Sequence, residues 1–318
     1  MAKKKKGRIV IPYIITIVIG MIIIGGAALF IYNYFELGKD EELPELVGGI
    51  SDEISYEDSH TVLFILETPD DLSVHTFLLM RSVPIDKNIM FVGIPSNTSA
   101  SFNGKYTQLG TVYEQGGEAE AMEFVEQLFK VDINKYMTFS PDSLLEITDI
   151  FGGVTYTPDI RIPGVCEEGV ERIMNGKQLE KYITFSGFPD GEMQRAFNTG
   201  SIIAAMINQS DGQRIADNLD LYFNTIVNMT DTNITAVDYK KYKSPVKYMF
   251  EKGTAIASFS YMTGSNSGDD FFADIDFCTS LKEEYFTAPE NKITETEENE
   301  ENTKDNSKEK KQNRIYSF

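Results

Sequence analysis

HTVLFILETPDDLSVHTFLLMRSVPIDKNIMFVGIPSNTSASFNGKYTQLGTVYEQGG, residues 60–117, is the stretch that decides the fold. It holds three short runs rich in Val, Ile, Leu, Phe and Met, at residues 62–66, 76–83 and 88–94. Each run is bounded by Pro, Asp, Ser or Asn, which is the pattern of buried strands. The compact link at residues 84–88 predicts that the second and third runs form a hairpin.

Downstream of this stretch, helical and extended patterns alternate. Residues 94–98, Ile-Pro-Ser-Asn-Thr, leave the sheet into a polar loop that is predicted to end at Gly116-Gly117. Helical spacing follows at 118–128, after Ser140 as far as Gly152-Gly153, at 177–182 and at 193–209, and residues 166–176 are predicted to form a loop. Extended runs at 135–139, 154–160 and 257–264 complete the pattern. This alternation predicts an α/β fold, a three-layer α-β-α arrangement with a central mixed sheet.

The N-terminal part of the chain reads as a membrane anchor. Residues 1–8 are basic, and residues 9–35 contain no charged residue. As a helix this run is about 40 Å long, against about 30 Å of hydrocarbon, so a transmembrane helix is predicted with its N-terminus in the cytoplasm. A cleaved signal peptide would have a shorter apolar region and a small-x-small cleavage site.

The predicted organisation follows from this anchor. Residues 36–55 form a polar extracytoplasmic linker, residues 56–288 the main extracytoplasmic domain, and residues 289–318 a charged tail without periodicity, predicted to be disordered. The expected location is the cell membrane, in a single pass.

Charge and the scarce metal-binding residues exclude several classes of function. The formal net charge is −20, so the basic face that nucleic-acid binding needs is missing. There are two histidines, His60 and His75, and no Cys-x-x-Cys, so a structural zinc site has no support. Cys166 and Cys278 lie far apart, and a disulfide and two free thiols both stay open.

Two further segments complete a resemblance to a known family. Residues 150–154, Ile-Phe-Gly-Gly-Val, and residues 175–182, Asn-Gly-Lys-Gln-Leu-Glu-Lys-Tyr, follow the strand–loop–strand order above. With the anchor and linker, this order resembles the LytR-CpsA-Psr proteins of bacterial envelopes over about residues 60–210. The resemblance implies an apolar tunnel for a polyprenyl-pyrophosphate lipid and transfer of the attached glycopolymer phosphate to peptidoglycan.

The family's charged pocket is the part that this chain lacks. In the family several arginines and an aspartate-bound Mg²⁺ clamp the pyrophosphate, because phosphoryl charge must be neutralised during transfer. Residues 73–76, Ser-Val-His-Thr, stand where the family has Arg-Ser-Asp-Thr, and residues 94–98 replace Ile-Pro-Arg-Asp-Thr. Thr184 and Ser186 replace an Arg-x-Arg, and Arg195 remains out of register. Each lost charge-assisted hydrogen bond removes about 1.5–3 kcal/mol, so useful catalysis is not expected.

The residues that could still line a ligand pocket each have a plainer interpretation. The candidates are Asp70, Asp71, Ser73, His75, Ser96, Asn97, Thr184, Ser186 and Arg195. Asp70 and Asp71 also suit a solvated turn, His75 a polar strand edge, and Ser96 and Asn97 a plain loop. The phenylalanines and methionines at helical spacing either line a lipid tunnel or form the core.

The sequence therefore predicts a catalytically degenerate LytR-CpsA-Psr-like envelope protein. It would bind or scaffold in cell-wall glycopolymer assembly, without a cofactor, with the membrane, a polyprenyl lipid, wall glycopolymer or envelope proteins as partners and no nucleic acid. The alternative is a divergent phosphotransferase or pyrophosphatase that uses Asp70, Asp71, His75 and Arg195 with Mg²⁺. Convergence of these four side chains in one cavity would favour the enzyme.

Overall fold

The structure, a computed structural model, describes residues 54–68, 75–251 and 256–288. The predicted cytoplasmic end, transmembrane helix, charged tail and nearly all of the linker lie outside these residues. So does the loop at 69–74, which follows the first strand. Within the described ranges, no helix combines the length and the apolar character that a bilayer crossing needs.

A mixed β-sheet forms the centre of the described domain. In chain order the strands are β1 (His60–Leu66), β2 (Thr76–Val83), β3 (Asn88–Ile94), β4 (Ser99–Phe102), β5 (Lys105–Gln108), β6 (Lys135–Phe139), β7 (Val154–Tyr156), β8 (Arg172–Met174), β9 (Asp231–Thr232), β10 (Ala257–Ser260), β11 (Gly264–Ser267) and β12 (Asp270–Ala273). The central sheet has the order β10-β3-β2-β1-β6-β9. β1 and β3 are both antiparallel to β2, whereas β6 is parallel to β1 and β10 is parallel to β3. The carboxyl ends of β1, β3, β6 and β10 therefore lie at one edge of the sheet.

Helices connect and cover the strands. They are α1 (Leu109–Phe129), α2 (Pro141–Ile150), α3 (Gly176–Ile183), α4 (Gly191–Gln209), α5 (Gly212–Asp217), α6 (Leu219–Met229), α7 (Ala236–Glu251) and α8 (Ile275–Leu281). Side-chain caps fix several starts: Ser140 accepts from the Ser143 amide, and Asn175 forms a capping box with Gln178. The predicted N-cap at Ser140 is thus confirmed.

Both faces of the sheet are buried, which makes three layers. Leu63 and Ile65 of β1 pack with α1 and α8 on one face, while Val62 and Leu66 pack with α2, α3 and α4 on the other. Strands buried on both faces read as continuous apolar runs, since neither face is left for polar side chains. The prediction of a central mixed sheet with helices on it is confirmed.

The predicted loop before Gly116-Gly117 was wrong. It contains the β4–β5 hairpin, and α1 begins at Leu109, nine residues before the predicted start. Gly117 has φ 69° and ψ −159°, so it interrupts the helix at the position taken for its beginning. Glycine adopts a positive φ both at the ends of loops and at kinks inside helices. The pair Gly116-Gly117 was therefore interpreted as the end of a loop, whereas it forms a kink in α1.

The second correction concerns residues 154–176. Of the run predicted to be extended at 154–160, only Val154–Tyr156 forms a strand, β7. It pairs with β8, which lies in the segment predicted as a loop, and both strands are outside the central sheet. Gly152 and Gly153 have φ 85° and 81°, so the chain turns sharply after α2. A local pattern predicts extended backbone, but which strand it pairs with depends on where that turn directs it.

The two cysteines are both buried and free. Burial raises the pKa of Cys278 to about 11 and also raises that of Cys166. The choice that the sequence left open is settled in favour of two unreactive buried thiols.

Candidate functional site

Several candidate residues lie where the carboxyl ends of β1, β3 and β6 meet, and we call this side of the sheet the ligand edge because ligands of open α/β folds usually bind at such strand ends. His75, Ser96 and Arg195 come together at this edge from three separate parts of the chain. Asp70, Asp71 and Ser73 lie outside the described residues, so the structure does not place them. His75 lies near enough for the charge of Arg195 to lower its pKa, but neither residue lines the cavity described below, so the convergence that would favour an enzyme stays a prediction.

Arg195 is held by an acidic residue of its own helix. Its Nη2 donates to Glu192 Oε2, and the Ser96 hydroxyl donates to the same oxygen at 3.2 Å. The Arg195 side chain is 1% exposed, against 24% for Glu192. Burial lowers the pKa of Arg195, and Glu192 counteracts this; burial raises the pKa of Glu192, and Arg195 counteracts that. Glu192 therefore already neutralises the charge of Arg195, the one arginine among the candidate residues.

A glycine allows α4 to bring Arg195 so close to the sheet. A Cβ on Gly93 of β3 would clash with the carbonyl oxygen of Ala196, the residue after Arg195. The backbone of the helix therefore lies directly on the strand. Glycine is needed here for close approach and not for an unusual φ.

A second polar cluster consists of Glu67, Tyr113 and His75. The Tyr113 hydroxyl donates to Glu67 Oε1 at 2.9 Å, and the His75 ring lies edge-on to Tyr113 with 4.9 Å between ring centroids. Burial lowers the pKa of His75; Glu67 and Glu114 oppose this, and Arg195 adds to it. His75 is therefore neutral at pH 7, and its Nδ1 has no hydrogen-bond partner among the described residues.

The other described candidates do not join this group. Asn97 Nδ2 donates to the Asp269 carbonyl at 2.9 Å, which ties the loop to the β11–β12 turn. The Thr184 hydroxyl donates to the Glu180 carbonyl at 2.8 Å at the end of α3, and Ser186 is exposed on the following loop. Asn97 and Thr184 thus have structural partners.

The described carboxylates at this edge do not fit a Mg²⁺ site. Glu67 already accepts the Tyr113 hydroxyl, and Glu192 accepts both Arg195 and Ser96. A magnesium ion takes carboxylate and water oxygens in octahedral geometry, and a guanidinium on the same oxygen competes with it. No grouping of three or more potential metal ligands occurs in the described part of the chain.

A large apolar cavity of about 570 Å³ lies on one face of the sheet. Protein interiors are close-packed, and ligand pockets usually measure about 300–1,000 Å³, so this volume is that of a binding site. It lies between β1, β2 and β6 and the helices α2, α4, α5, α6 and α7. Its apolar lining includes Phe64, Met80, Met137, Phe139, Ile147, Phe151, Ile203, Met206, Ile207, Tyr222, Phe223, Ile226, Val227, Val246 and Phe250.

The phenylalanines and methionines divide between the two faces of the sheet. Met206 of α4, which is at helical spacing, lines the cavity together with Met80, Met137 and Phe139 of the strands. Phe124 and Phe129 of α1 are part of the close-packed core on the opposite face. The core interpretation is confirmed for α1, and the lipid tunnel stays a prediction.

The cavity reaches toward both edges of the sheet. Phe139 lines it near the ligand edge, and the Phe139 carbonyl accepts the Glu67 amide at 2.9 Å. At the opposite edge the lining turns polar, a region we call the rim, and its residues are His60, Asn134, Lys135, Asp238, Tyr239, Tyr242 and Lys243. The cavity therefore extends from the rim as far as Phe139, and none of the polar residues described above at the ligand edge lines it.

Sequence reasoning missed Glu67, Tyr113 and Glu192. Glu192 could have been found, because it stands three residues before Arg195, a spacing at which opposite charges pair on a helix, but the predicted helix began one residue too late to include it. Tyr113 fell in the segment mistaken for a loop. Glu67 carried no local signal that it would meet Tyr113, 46 residues further along the chain.

The described domain thus combines a central mixed sheet, helices on both of its faces and an apolar cavity of the size that ligand pockets have. The chain belongs to the LytR-CpsA-Psr (LytR_cpsA_psr) family, whose sequence model matches residues 73–287. The predicted family is confirmed, and its proteins act in attaching glycopolymers to the cell wall.

Relatives and solved structures agree with this assignment. The chain is 22% identical over 278 residues to the polyisoprenyl-teichoic acid–peptidoglycan teichoic acid transferase TagU of Bacillus subtilis, covering 79% of this chain and 89% of TagU. A crystal structure from Eubacterium siraeum, of a protein described as a transcription regulator, matches with a TM-score of 0.64 at 24% identity, over 72% of this chain and 91% of that one. B. subtilis TagV matches with a TM-score of 0.57 at 19% identity, over 73% and 98%. At these identities the structures show the fold alone.

Proposed function

We propose that this chain is a membrane-anchored, extracytoplasmic protein that holds a polyisoprenyl-linked lipid in its apolar cavity and does not transfer the attached glycopolymer. It acts as a binding or scaffold partner in the attachment of glycopolymers to the wall. The observation that carries the proposal is the contrast between the cavity and the polar edge. The apolar cavity of about 570 Å³ is large enough for a ligand, whereas Arg195 does not line it and is buried against Glu192.

The cavity supplies the affinity in this proposal. Burying apolar surface contributes roughly 25 cal/mol per Å², and an isoprenoid tail is apolar along its whole length. The similarity to TagU, whose name specifies a polyisoprenyl-linked substrate, supports this class of ligand.

The polar edge supplies little of what phosphoryl transfer needs. Such transfer depends on cations that neutralise charge on the phosphoryl oxygens. Arg195 is committed to Glu192, and to engage a phosphate it would have to leave a site where it is 1% exposed. The enzymatic alternative rests on Asp70, Asp71, His75 and Arg195 with Mg²⁺. Two described features favour it, because His75 Nδ1 and Arg195 Nε are both buried without a hydrogen-bond partner in the described part of the chain.

The test uses the full chain in detergent, titrated with polyprenyl phosphate with and without Mg²⁺ while thermal unfolding is followed. A ligand at 100 times its dissociation constant stabilises the folded protein by about 2.7 kcal/mol. We expect the corresponding rise in melting temperature in the absence of Mg²⁺. Ile226→Trp, on the α6 side of the cavity, fills part of the volume and should remove most of the ligand-induced rise. Ile173→Trp, the same change on the exposed surface of β8, should keep it.

Two results would overturn the proposal. A rise that Ile226→Trp leaves unchanged would place the ligand outside the cavity. Mg²⁺-dependent transfer of glycopolymer to peptidoglycan by the purified chain would establish the enzymatic alternative.

A further inference from the structure

The rim is held together by contacts between the sheet edge and α7. Lys135 at the start of β6 forms a 2.7 Å ion pair with Asp238, and the His60 ring lies 4.7 Å from the Tyr242 ring, centroid to centroid. The start of α6 joins from the side, because Asp220 accepts both the Tyr239 hydroxyl at 2.6 Å and Lys243 Nζ at 2.7 Å. The starts of α6 and α7 therefore flank this mouth of the cavity together.

Two large apolar side chains stand in solvent on these same helix starts. Leu221 is 65% exposed, and Val237 is 76% exposed. Val237 stands three and four residues before Lys240 and Lys241 on α7, so these three side chains share one face of the helix. Buried side chains are few on both helices: Leu219 on α6, and Pro245 and Met249 on α7. The helices serve as a cover over the cavity more than as part of a close-packed core.

The charge of this region differs from that of the rest of the chain. The whole chain carries −20, but α7 holds Lys240, Lys241, Lys243 and Lys247 against Asp238 and Glu251, a net charge of 4 − 2 = +2. Lys243 is paired with Asp220. Lys240 and Lys241 are exposed and take part in no ion pair within the described ranges.

The chain also enters the domain at this side. The turn Tyr56–Asp58 leads directly into β1, whose first residue, His60, lies on the rim. The described part of the chain therefore begins beside the rim.

We propose that the rim docks on an anionic lipid bilayer, with Val237 and Leu221 in the headgroup region and Lys240 and Lys241 against lipid phosphates. The isoprenoid tail then passes between the bilayer and the cavity without crossing water. Lys241 contacts Tyr242 through a 3.1 Å hydrogen bond to its hydroxyl, but neither this lysine nor Lys240 has a carboxylate partner within the described ranges. Exposed apolar residues beside lysines that carry no ion pair are what an anionic lipid surface recognises, and an acidic protein body would otherwise be repelled from it. This inference rests on the proposed function, because it supplies the route to the same cavity.

The absence of tryptophan from the chain makes the contact measurable. Val237→Trp introduces a sole tryptophan at the proposed contact, and Ile173→Trp introduces one at an exposed apolar position on β8. Full-length protein is reconstituted into vesicles of phosphatidylglycerol and dibrominated phosphatidylcholine. We expect the Val237→Trp fluorescence to be shifted to the blue and quenched at least twofold more than that of Ile173→Trp.

Charge variants test the role of the lysines. Each lysine near an anionic surface contributes about fivefold, so adding Lys240→Gln and Lys241→Gln to Val237→Trp should lower the docked-to-undocked ratio about 30-fold. Lys177→Gln with Lys181→Gln, two exposed lysines on α3, removes the same charge and should change nothing. High salt should weaken the quenching, because the attraction is screened.

The quenching measurement and the ligand titration in detergent together distinguish a failure of membrane docking from a failure of the proposed function. Equal quenching of Val237→Trp and Ile173→Trp, repeated with Leu221→Trp in place of Val237→Trp, would overturn the docking inference. If polyprenyl phosphate still stabilised the protein in detergent, the proposed function would stand without it. If that stabilisation were also absent, both would fail.

Discussion

Breaking the Glu192–Arg195 pair should destabilise the domain more than any change to an exposed ion pair. Removing one member of a buried pair costs about 3–5 kcal/mol, because the other charge stays buried without a partner. Glu192→Gln leaves Arg195 1% exposed, and the 24% exposure of Glu192 places the expected loss near the lower limit, about 3 kcal/mol. Arg195→Met leaves Glu192 with the Ser96 hydroxyl and some water, so about 2 kcal/mol is expected.

The double variant Glu192→Gln with Arg195→Met measures how strongly the two side chains depend on each other. Independent effects would sum to about 5 kcal/mol, but replacing a buried pair by uncharged side chains is often near neutral, so about 2 kcal/mol is expected. Thermal unfolding of the full chain in detergent at pH 7 measures all three. For a domain of this size 1 kcal/mol corresponds to about 2–4 °C, so Glu192→Gln should lower the melting temperature by about 6–12 °C.

A matched control and a ligand measurement complete this test. Asp220→Asn makes the same kind of change in the exposed Asp220–Lys243 pair and should cost less than about 1 kcal/mol. Arg195→Met should keep the stabilisation by polyprenyl phosphate, because the tail supplies the affinity. The reasoning is refuted if Glu192→Gln costs no more than Asp220→Asn, or if Arg195→Met abolishes ligand binding without loss of stability.

Two further predictions concern the rim and the helix carrying Arg195. Burial lowers the pKa of His60 to about 4, with Arg81 and Lys241 adding to the effect and the Asp58 carbonyl opposing it. The contribution of neutral His60 to stability is therefore complete above about pH 6.5 and is lost as the pH falls toward 4, because the unfolded chain binds the proton before the folded chain does. Allowing for partial exposure, this contribution is about 2 kcal/mol. Melting temperatures at pH 7 and 4.5 should therefore show a shallower decline for His60→Gln than for the wild type. An equal decline would contradict this. Gly93→Ala on β3 should cost about 1–3 kcal/mol, because the new Cβ would meet the Ala196 backbone of α4. Gly200→Ala on α4, where a Cβ would make only ordinary contacts, should be neutral or stabilising. Equal melting temperatures of the two variants would contradict the close approach of α4 to β3.

Much of the fold followed from local pattern. Short apolar runs bounded by turn residues predicted β1, β2, β3 and β6, and helical spacing with an N-cap at Ser140 predicted α2. These features depend on neighbours within one turn or one strand, so their signals are complete in a short window of sequence. The order of such elements was also enough to predict the family.

What local pattern misjudged was partner choice. β7 was predicted to be extended, yet it pairs with β8 away from the central sheet. Gly116-Gly117 suggested the end of a loop, yet α1 continues through a kink there. Both errors arise because glycine permits several backbone conformations and only the packing around it selects one.

The sequence alone determined which residues are apolar, which repeat with the period of a strand or a helix, and which of the family's arginines are missing. Only the tertiary structure decided that Met80 and Met137 face a cavity while Phe124 and Phe129 fill a core, since all four look alike in sequence. It alone decided that Arg195 is buried against Glu192 beside Ser96. The physical reason is that periodicity records whether a side chain leaves water, whereas a cavity or a buried ion pair depends on which distant surfaces the folded chain brings together.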